Sequence, residues 1–467
     1  MKNKNLLEQL RNGEQLRFQE QLLLTIQLSI PTILAQISSI IMQYIDAAMV
    51  GRLGANGSAS IGLVSSSTWL MGGLCTAAGT GFTVQVAQKI GAKEDQKARS
   101  IVRQGLAAVF LFSCVLLLTG VGISRRLPVW LGGDTVICPD AASYFMVYSL
   151  FIPALQLNSA AGGMLQCSGN MKLPSILHIL MCFLDVIFNL LLIFPTRQIW
   201  AAGVELTVPG AGLGVTGAAL GTALAELVTA CLMLYFLLVR SPMLHLRRGE
   251  RLALDTKDLK RALKIAVPVG FEQIVMCGAQ IMSTKIVAPL GTIAIAANSL
   301  AVTAESLCYM PGYGIGSAAT TLIGQSIGAG RKDLTKRLGW LTTGLGMAVM
   351  TGSGVLLFIF APFMIGMLSP DPAIRELGAR VLRIEAFAEP MYAASIVASG
   401  VFRGAGDTFV PSCVNFFSMW LVRIPLSAFL AARLGLEGVW IAMCTELCVR
   451  GALFLIRLKG RRWQHAV

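Results

Sequence analysis

Twelve times along this chain an apolar run appears that is long enough to cross about 30 Å of hydrocarbon. The runs fall at roughly 22–46, 60–88, 104–124, 142–166, 174–195 and 211–239, then at 262–289, 294–325, 338–360, 380–402, 411–432 and 436–458. Inside lipid no water is present to bond the backbone, so each run must satisfy its own N–H and C=O groups, and a helix does this within one segment. The expected fold is therefore an all-α membrane protein of twelve transmembrane helices. Composition agrees: 55% of residues are hydrophobic and 13% charged, too little charge to cover a soluble domain.

The two halves repeat each other. SIPTILAQ (Ser29–Gln36) matches AVPVGFEQ (Ala266–Gln273), and Pro268 lies 237 residues beyond Pro31. The same spacing of 237 relates Gly54 of MVGRLG to Gly291 of IVAPLG, Gly91 of AQKIGA to Gly328 of GQSIGA, and Pro174 to Pro411. A constant offset over four motifs indicates duplication. Each half has an even number of spans, so the repeats are parallel six-helix bundles related by an axis along the membrane normal, with a substrate cleft expected between them. The division read from the sequence is a tail at 1–21, an N-lobe at 22–240, a basic connection at 241–261, a C-lobe at 262–458 and a second tail at 459–467.

The net charge of +14 is spread over short connections instead of forming one patch, which excludes a nucleic-acid surface and fits membrane topology. Most of the 38 Lys and Arg fall in the tails and the even-numbered connections, so both termini are expected in the cytoplasm of a cell whose inner membrane holds the chain. The opening residues are polar and mixed in charge, unlike a cleavable signal, and are read as a tail with a short helix on the membrane surface. Eleven scattered cysteines and three distant histidines form neither a metal site nor a disulfide frame. Grouped glycines, among them Gly214, Gly217 and Gly221, are read as close helix contacts.

Ionisable groups within spans are costly and mark function by default. Asp46 near the end of span 1 and Asp185 in span 5 have no acidic counterparts in the second half, where Ser283 and Val422 stand at the matching positions. Asp185 and Asn189, four residues apart, share a helix face. With Asp46 and the hydroxyl of Thr222 they make an oxygen-lined pocket of the kind that suits Na⁺ or a proton. Glu226 and Glu446 occupy similar places in the two repeats and are read as structural. Glu272, Glu305 and Glu389 are weaker candidates for the cleft or for coupling, with Glu385 near the end of span 10.

The repeated spans, the prolines of spans 1 and 7, DAAMVGRLG, the QxxGA loops and FRGAGDT followed by proline resemble the multidrug and toxic compound extrusion family, within the multidrug, oligosaccharidyl-lipid and polysaccharide flippase superfamily. The resemblance covers essentially the whole chain. It implies that Asp46, in YIDAAMVG, is the coupling aspartate of the N-lobe, and that Asn158 and Thr222 take the remaining polar positions of that lobe. Some members carry an Asn and an Asp one turn apart in span 5; here the order is reversed, with Asp185 first and Asn189 second. Another branch uses acids of spans 7 and 10, but Glu272 follows Pro268 by four residues, a spacing that does not match that branch.

The resemblance implies a monomeric antiporter, not an enzyme, that admits Na⁺ or H⁺ as its only cofactor and expels small organic cations by alternating access. A lipid-precursor flippase is the rival reading; it would need basic residues in the cleft, for which Lys285, Arg423 and Arg450 are the candidates. An intramembrane enzyme finds no support, since neither HExxH nor GxSxG occurs. Met71, Met276, Met310 and Met391 are among twenty methionines that suit an adaptable apolar cleft.

Overall fold

A computed structural model describes residues 6–201, 204–246 and 255–465. Residues 247–254 of the basic connection read at 241–261 and the outermost residues of both tails lie outside them. A short helix α1 (Leu6–Asn12) precedes the first lobe, which contains α2 (Phe18–Gly51), α3 (Ala55–Gly91), α4 (Asp95–Ile123), α5 (Leu127–Trp130), α6 (Cys138–Cys167), α7 (Lys172–Leu192) and α8 (Gly214–Tyr235). The second lobe contains α9 (Thr256–Val287), α10 (Thr292–Gly328), α11 (Lys332–Leu368), α12 (Pro372–Ala386), α13 (Glu389–Ala405), α14 (Phe409–Phe417), α15 (Ile424–Leu434) and α16 (Leu436–Lys459).

Among the described residues, ten segments are long and apolar enough to span a bilayer on length and composition alone. The other two of the twelve spans are α6, enriched in polar groups such as Gln156 and Asn158, and the α12–α13 pair. Both pack among spanning helices, α6 against α3, α4 and α8, and α13 against α10, α11 and α16.

Span 10, expected as one helix over 380–402, is broken between Ala386 and Glu389. Pro390 is the cause: it lacks an N–H, its ring collides with the carbonyl four residues back, and it is accepted only in the first turn of a new helix. Span 11 is likewise interrupted, by a π-helical stretch over Ser418–Arg423 that precedes Pro425. The longer connection before span 6 forms an antiparallel hairpin of β1 (Pro195–Ala201) and β2 (Val204–Ala211).

The lobes meet through pseudo-equivalent helices: α2 packs on α10, and its counterpart α9 packs on α3. The QxxGA repeats form the seam at one end. Gln88 Nε2 donates to Gly404 O at 3.2 Å, and Gln325 Nε2 donates to Cys167 O at 2.8 Å. Each donor and each acceptor is the 237-residue equivalent of the other. A Cβ on Gly91 would strike the Gln325 backbone, and one on Gly328 the Gln88 backbone, so only glycine permits this approach.

The opening segment forms the expected short helix, and it packs against both lobes. Leu7 and Leu10, three residues apart, bury one face of α1 in a cluster with Met171 of the first lobe and Ile323 of the second. Arg11 then bridges the lobes, its Nε donating to Gln325 Oε1 at 3.0 Å and its Nη2 to Ser168 O at 2.9 Å.

Candidate cation and substrate site

His178, Cys182, Asp185 and Asn189 recur at helical spacing and give α7 a polar stripe on an otherwise apolar surface. The stripe faces α2, where Ser39 and Asp46 are seven residues, two turns, apart. Ser39 Oγ and His178 Nε2 are 2.7 Å apart. One level higher, Asn189 Nδ2 donates to Asp46 Oδ1 at 2.9 Å and to Asp185 Oδ2 at 3.1 Å. Two carboxyls from two helices thus share one amide. Asp185 and Asn189 are buried, at 0% and 1% exposure, whereas Asp46 is only half-buried.

Thr222 of α8 completes the group. Its hydroxyl donates to Ala218 O at 3.3 Å, and its side chain also approaches Asp185. Gly221 beside it leaves room for the amide: a Cβ there would strike Asn189 Oδ1 and lie 3.0 Å from Asn189 Cγ and from the Asn189 backbone nitrogen. Asp185 Oδ1 and Asn189 Oδ1 are buried without a hydrogen-bond partner. An unpartnered buried oxygen is expensive, and here two of them sit in a group whose other donors are all oxygen. The residues present therefore fit a hard monovalent cation or a proton. Among the described residues no group of three His, Cys, Asp or Glu gathers as a transition-metal site would require.

Asn158, grouped with these residues by the sequence reading, belongs to a different hydrogen-bonded pair. Its Nδ2 donates to Glu226 Oε2 at 2.7 Å. Glu226, read from the sequence as structural, lines with Asn158 a cavity of about 430 Å³ whose wall also includes Gln36, Gln166, His178 and Ser317. Ser317 comes from α10, so the cavity reaches the junction of the lobes. The similarity of position to Glu446 concealed Glu226; what sets it apart is its neighbours, amide and imidazole in place of an arginine.

The second-lobe carboxylates divide in two. Glu272 is held by Asn415 Nδ2 at 2.6 Å and Ser412 Oγ at 3.0 Å, a satisfied pairing of α9 with α14. Glu305 and Glu389 lie instead in a buried cluster with Glu385, where both oxygens of Glu385 and of Glu389 lack hydrogen-bond partners. Arg423 faces Glu305, and Arg450 Nε is 3.1 Å from Glu446 Oε1. Lys285 is exposed near the end of α9.

The family model MatE matches residues 31–191 and 268–429, beginning at Pro31 and at Pro268, the equivalent prolines of the two repeats. The chain belongs to the MATE family of transporters. Two curated relatives align along nearly their whole length. The probable multidrug resistance protein NorM of Thermotoga maritima is 26% identical over 94% of this chain and 92% of its own. The uncharacterized transporter YisQ of Bacillus subtilis is 25% identical over 90% of each. Among solved structures, the outward-facing conformation of a multidrug resistance MATE family transporter superposes with a TM-score of 0.88 at 19% identity, covering 100% of this chain and 99% of that one. A transporter of the same superfamily from Pyrococcus furiosus, described as having a binding pocket of reversed polarity, superposes with a TM-score of 0.87 at 18% identity over 99% of this chain and 100% of its own. Such likeness places the twelve helices of this MATE protein in the family's two-lobed arrangement.

Proposed function

We propose that this MATE transporter is a secondary-active exporter that exchanges external Na⁺ or H⁺ for small organic cations, working as a monomer in the inner membrane with both termini cytoplasmic. The observation that carries the proposal is the sharing of the Asn189 amide by Asp46 and Asp185, with unpartnered buried oxygens beside it. Two carboxyls this close repel unless a positive charge lies between them. A proton or Na⁺ supplies that charge; Asp46, Asp185 Oδ1, Asn189 Oδ1 and Thr222 would hold it.

The Glu226 cavity gives the coupling a target. It adjoins the cation group through α7 and α8, and its carboxylate attracts a cationic compound while its amides and hydroxyls orient it. Occupancy at Asp46 and Asp185 draws α2, α7 and α8 together and so changes the cavity between them. To drive export the ion must bind one access state more tightly than the other. Names of relatives such as the multidrug resistance protein NorM support a broad range of exported compounds.

The basic residues within the spans argue against a pyrophosphate-binding flippase, because Arg450 and Arg423 already face carboxylates and Lys285 lies at a helix end. The test is transport by the purified protein in liposomes loaded with ethidium, under an imposed Na⁺ gradient and then a pH gradient. Efflux that follows one gradient supports the exporter and names the ion. A well-folded protein that moves ethidium under neither gradient, while translocating a lipid-linked sugar, refutes it.

A further inference from the structure

A surface cavity of about 800 Å³ lies apart from the Glu226 cavity, between the start of α2 in one lobe and the start of α11 in the other. Arg17, Lys336 and Arg337 line it, with Asp333 the one acidic group in the wall. Among the described residues no ion pair engages those three cations. Phe18 and Trp340, also in the wall, are 67% and 41% exposed, and Leu16 and Leu341 extend the apolar part. Both helices begin here, so the positive ends of two helix dipoles point toward the cavity.

This combination specifies a ligand that is anionic at one end and apolar at the other. The cavity lies where each helix leaves its polar connection for its apolar run, and exposed aromatic rings at that level are membrane-interface anchors. Polybasic sites at this depth attract anionic lipids. A soluble protein partner would give no reason for Phe18 and Trp340 to stand at the lipid boundary.

We propose that this cavity binds the headgroup of one anionic phospholipid, its phosphate held by Arg17, Lys336 and Arg337 and its acyl chains leaving along Phe18, Trp340 and Leu341. The bound lipid touches both lobes, α2 of the first and α11 of the second, and so forms a contact that must adjust whenever the lobes rock.

The test is native mass spectrometry of the full-length protein in detergent, offered phosphatidylglycerol or phosphatidylcholine. One phosphatidylglycerol should be retained preferentially. The R17Q/K336Q/R337Q variant should bind it about a hundredfold more weakly, at roughly fivefold per charge. If the triple variant is unstable, K336Q and R337Q alone should each show the fivefold loss. A K93Q/K97Q variant, neutralised elsewhere, should retain the lipid. The proposal is overturned if phosphatidylcholine is held equally well, if the cavity variants bind like the parent, if K93Q/K97Q loses the lipid to the same degree, or if millimolar inorganic phosphate displaces it, which would identify a free-phosphate site.

Discussion

The side-chain amide of Asn189 donates to the carboxyl of Asp46 over 2.9 Å, joining α7 to α2 across 143 positions of sequence. The same nitrogen serves Asp185 one turn away. The group thus consists of two acids and one amide on a common face, whichever of the α7 positions carries which.

This symmetry predicts the outcome of exchanging them. Asp185→Asn leaves one acid among two amides, and Asn189→Asp puts three acids together, so each single change should reduce transport at least tenfold. The double exchange D185N/N189D restores two acids and one amide and should recover a large part of the activity. Initial transport rates of the three variants at matched expression check this. A double variant no better than the singles would show that position, not composition, governs the site.

Gly221→Ala tests the packing behind the amide. The added methyl would lie 3.0 Å from Asn189 Cγ, tighter than ordinary carbon contact, so Asn189 must move off the carboxyls. Overpacking of this kind costs about 1–3 kcal/mol. We predict a modest fall in melting temperature and a much larger loss of coupled transport, with ethidium binding to the unenergised protein retained.

Much of this was legible in the sequence. Hydrophobic run length fixes the helices because lipid permits little else, and the 237-residue offset exposes the duplication because four motifs survived it. The grouping of Asp46, Asp185 and Asn189 could be read because acids within spans stand out and Asn189 shares a helix face with Asp185. The pairing of Glu226 with Asn158 was not legible because the two lie 68 residues apart and periodicity carries no contact information. The break before Glu389 was signalled by Pro390, but proline within a span is tolerated at Pro31 and Pro268, where α2 and α9 run on unbroken. Whether a proline kinks, breaks or is absorbed depends on which neighbour takes up the freed carbonyl. The role of the QxxGA motif was equally hidden: repetition showed that it was duplicated, and only the fold shows its two copies gripping each other.

At that seam, Gly91→Ala and Gly328→Ala should act alike, since each methyl would meet backbone of the opposite lobe. Either should hold the lobes apart at this end. Hydrogen exchange at Gln85–Lys89 and Leu322–Ser326 should quicken in both variants, and transport should fall. A change confined to one lobe would contradict the pseudo-symmetric contact.

Arg450 and Glu446 lie buried and 3.1 Å apart in α16. Glu446→Leu leaves the guanidinium without its nearby carboxylate and should destabilise the protein by about 3–5 kcal/mol. The E446L/R450M double variant removes both charges and should recover most of that loss. Melting temperatures of the two variants decide the matter; equal stability would mean that another acid of the second-lobe cluster replaces Glu446.

The most direct test of the central claim measures ethidium efflux from liposomes containing the parent protein, Asp46→Asn or Asp185→Asn, under a Na⁺ gradient or a pH gradient. The account predicts gradient-driven efflux by the parent protein and loss of it in both variants, while each variant remains folded and still binds ethidium. Efflux that continues to follow the ion gradient in either variant would place the coupling outside the Asp46–Asn189–Asp185 group, with the buried Glu305 and Glu389 cluster the next site to examine.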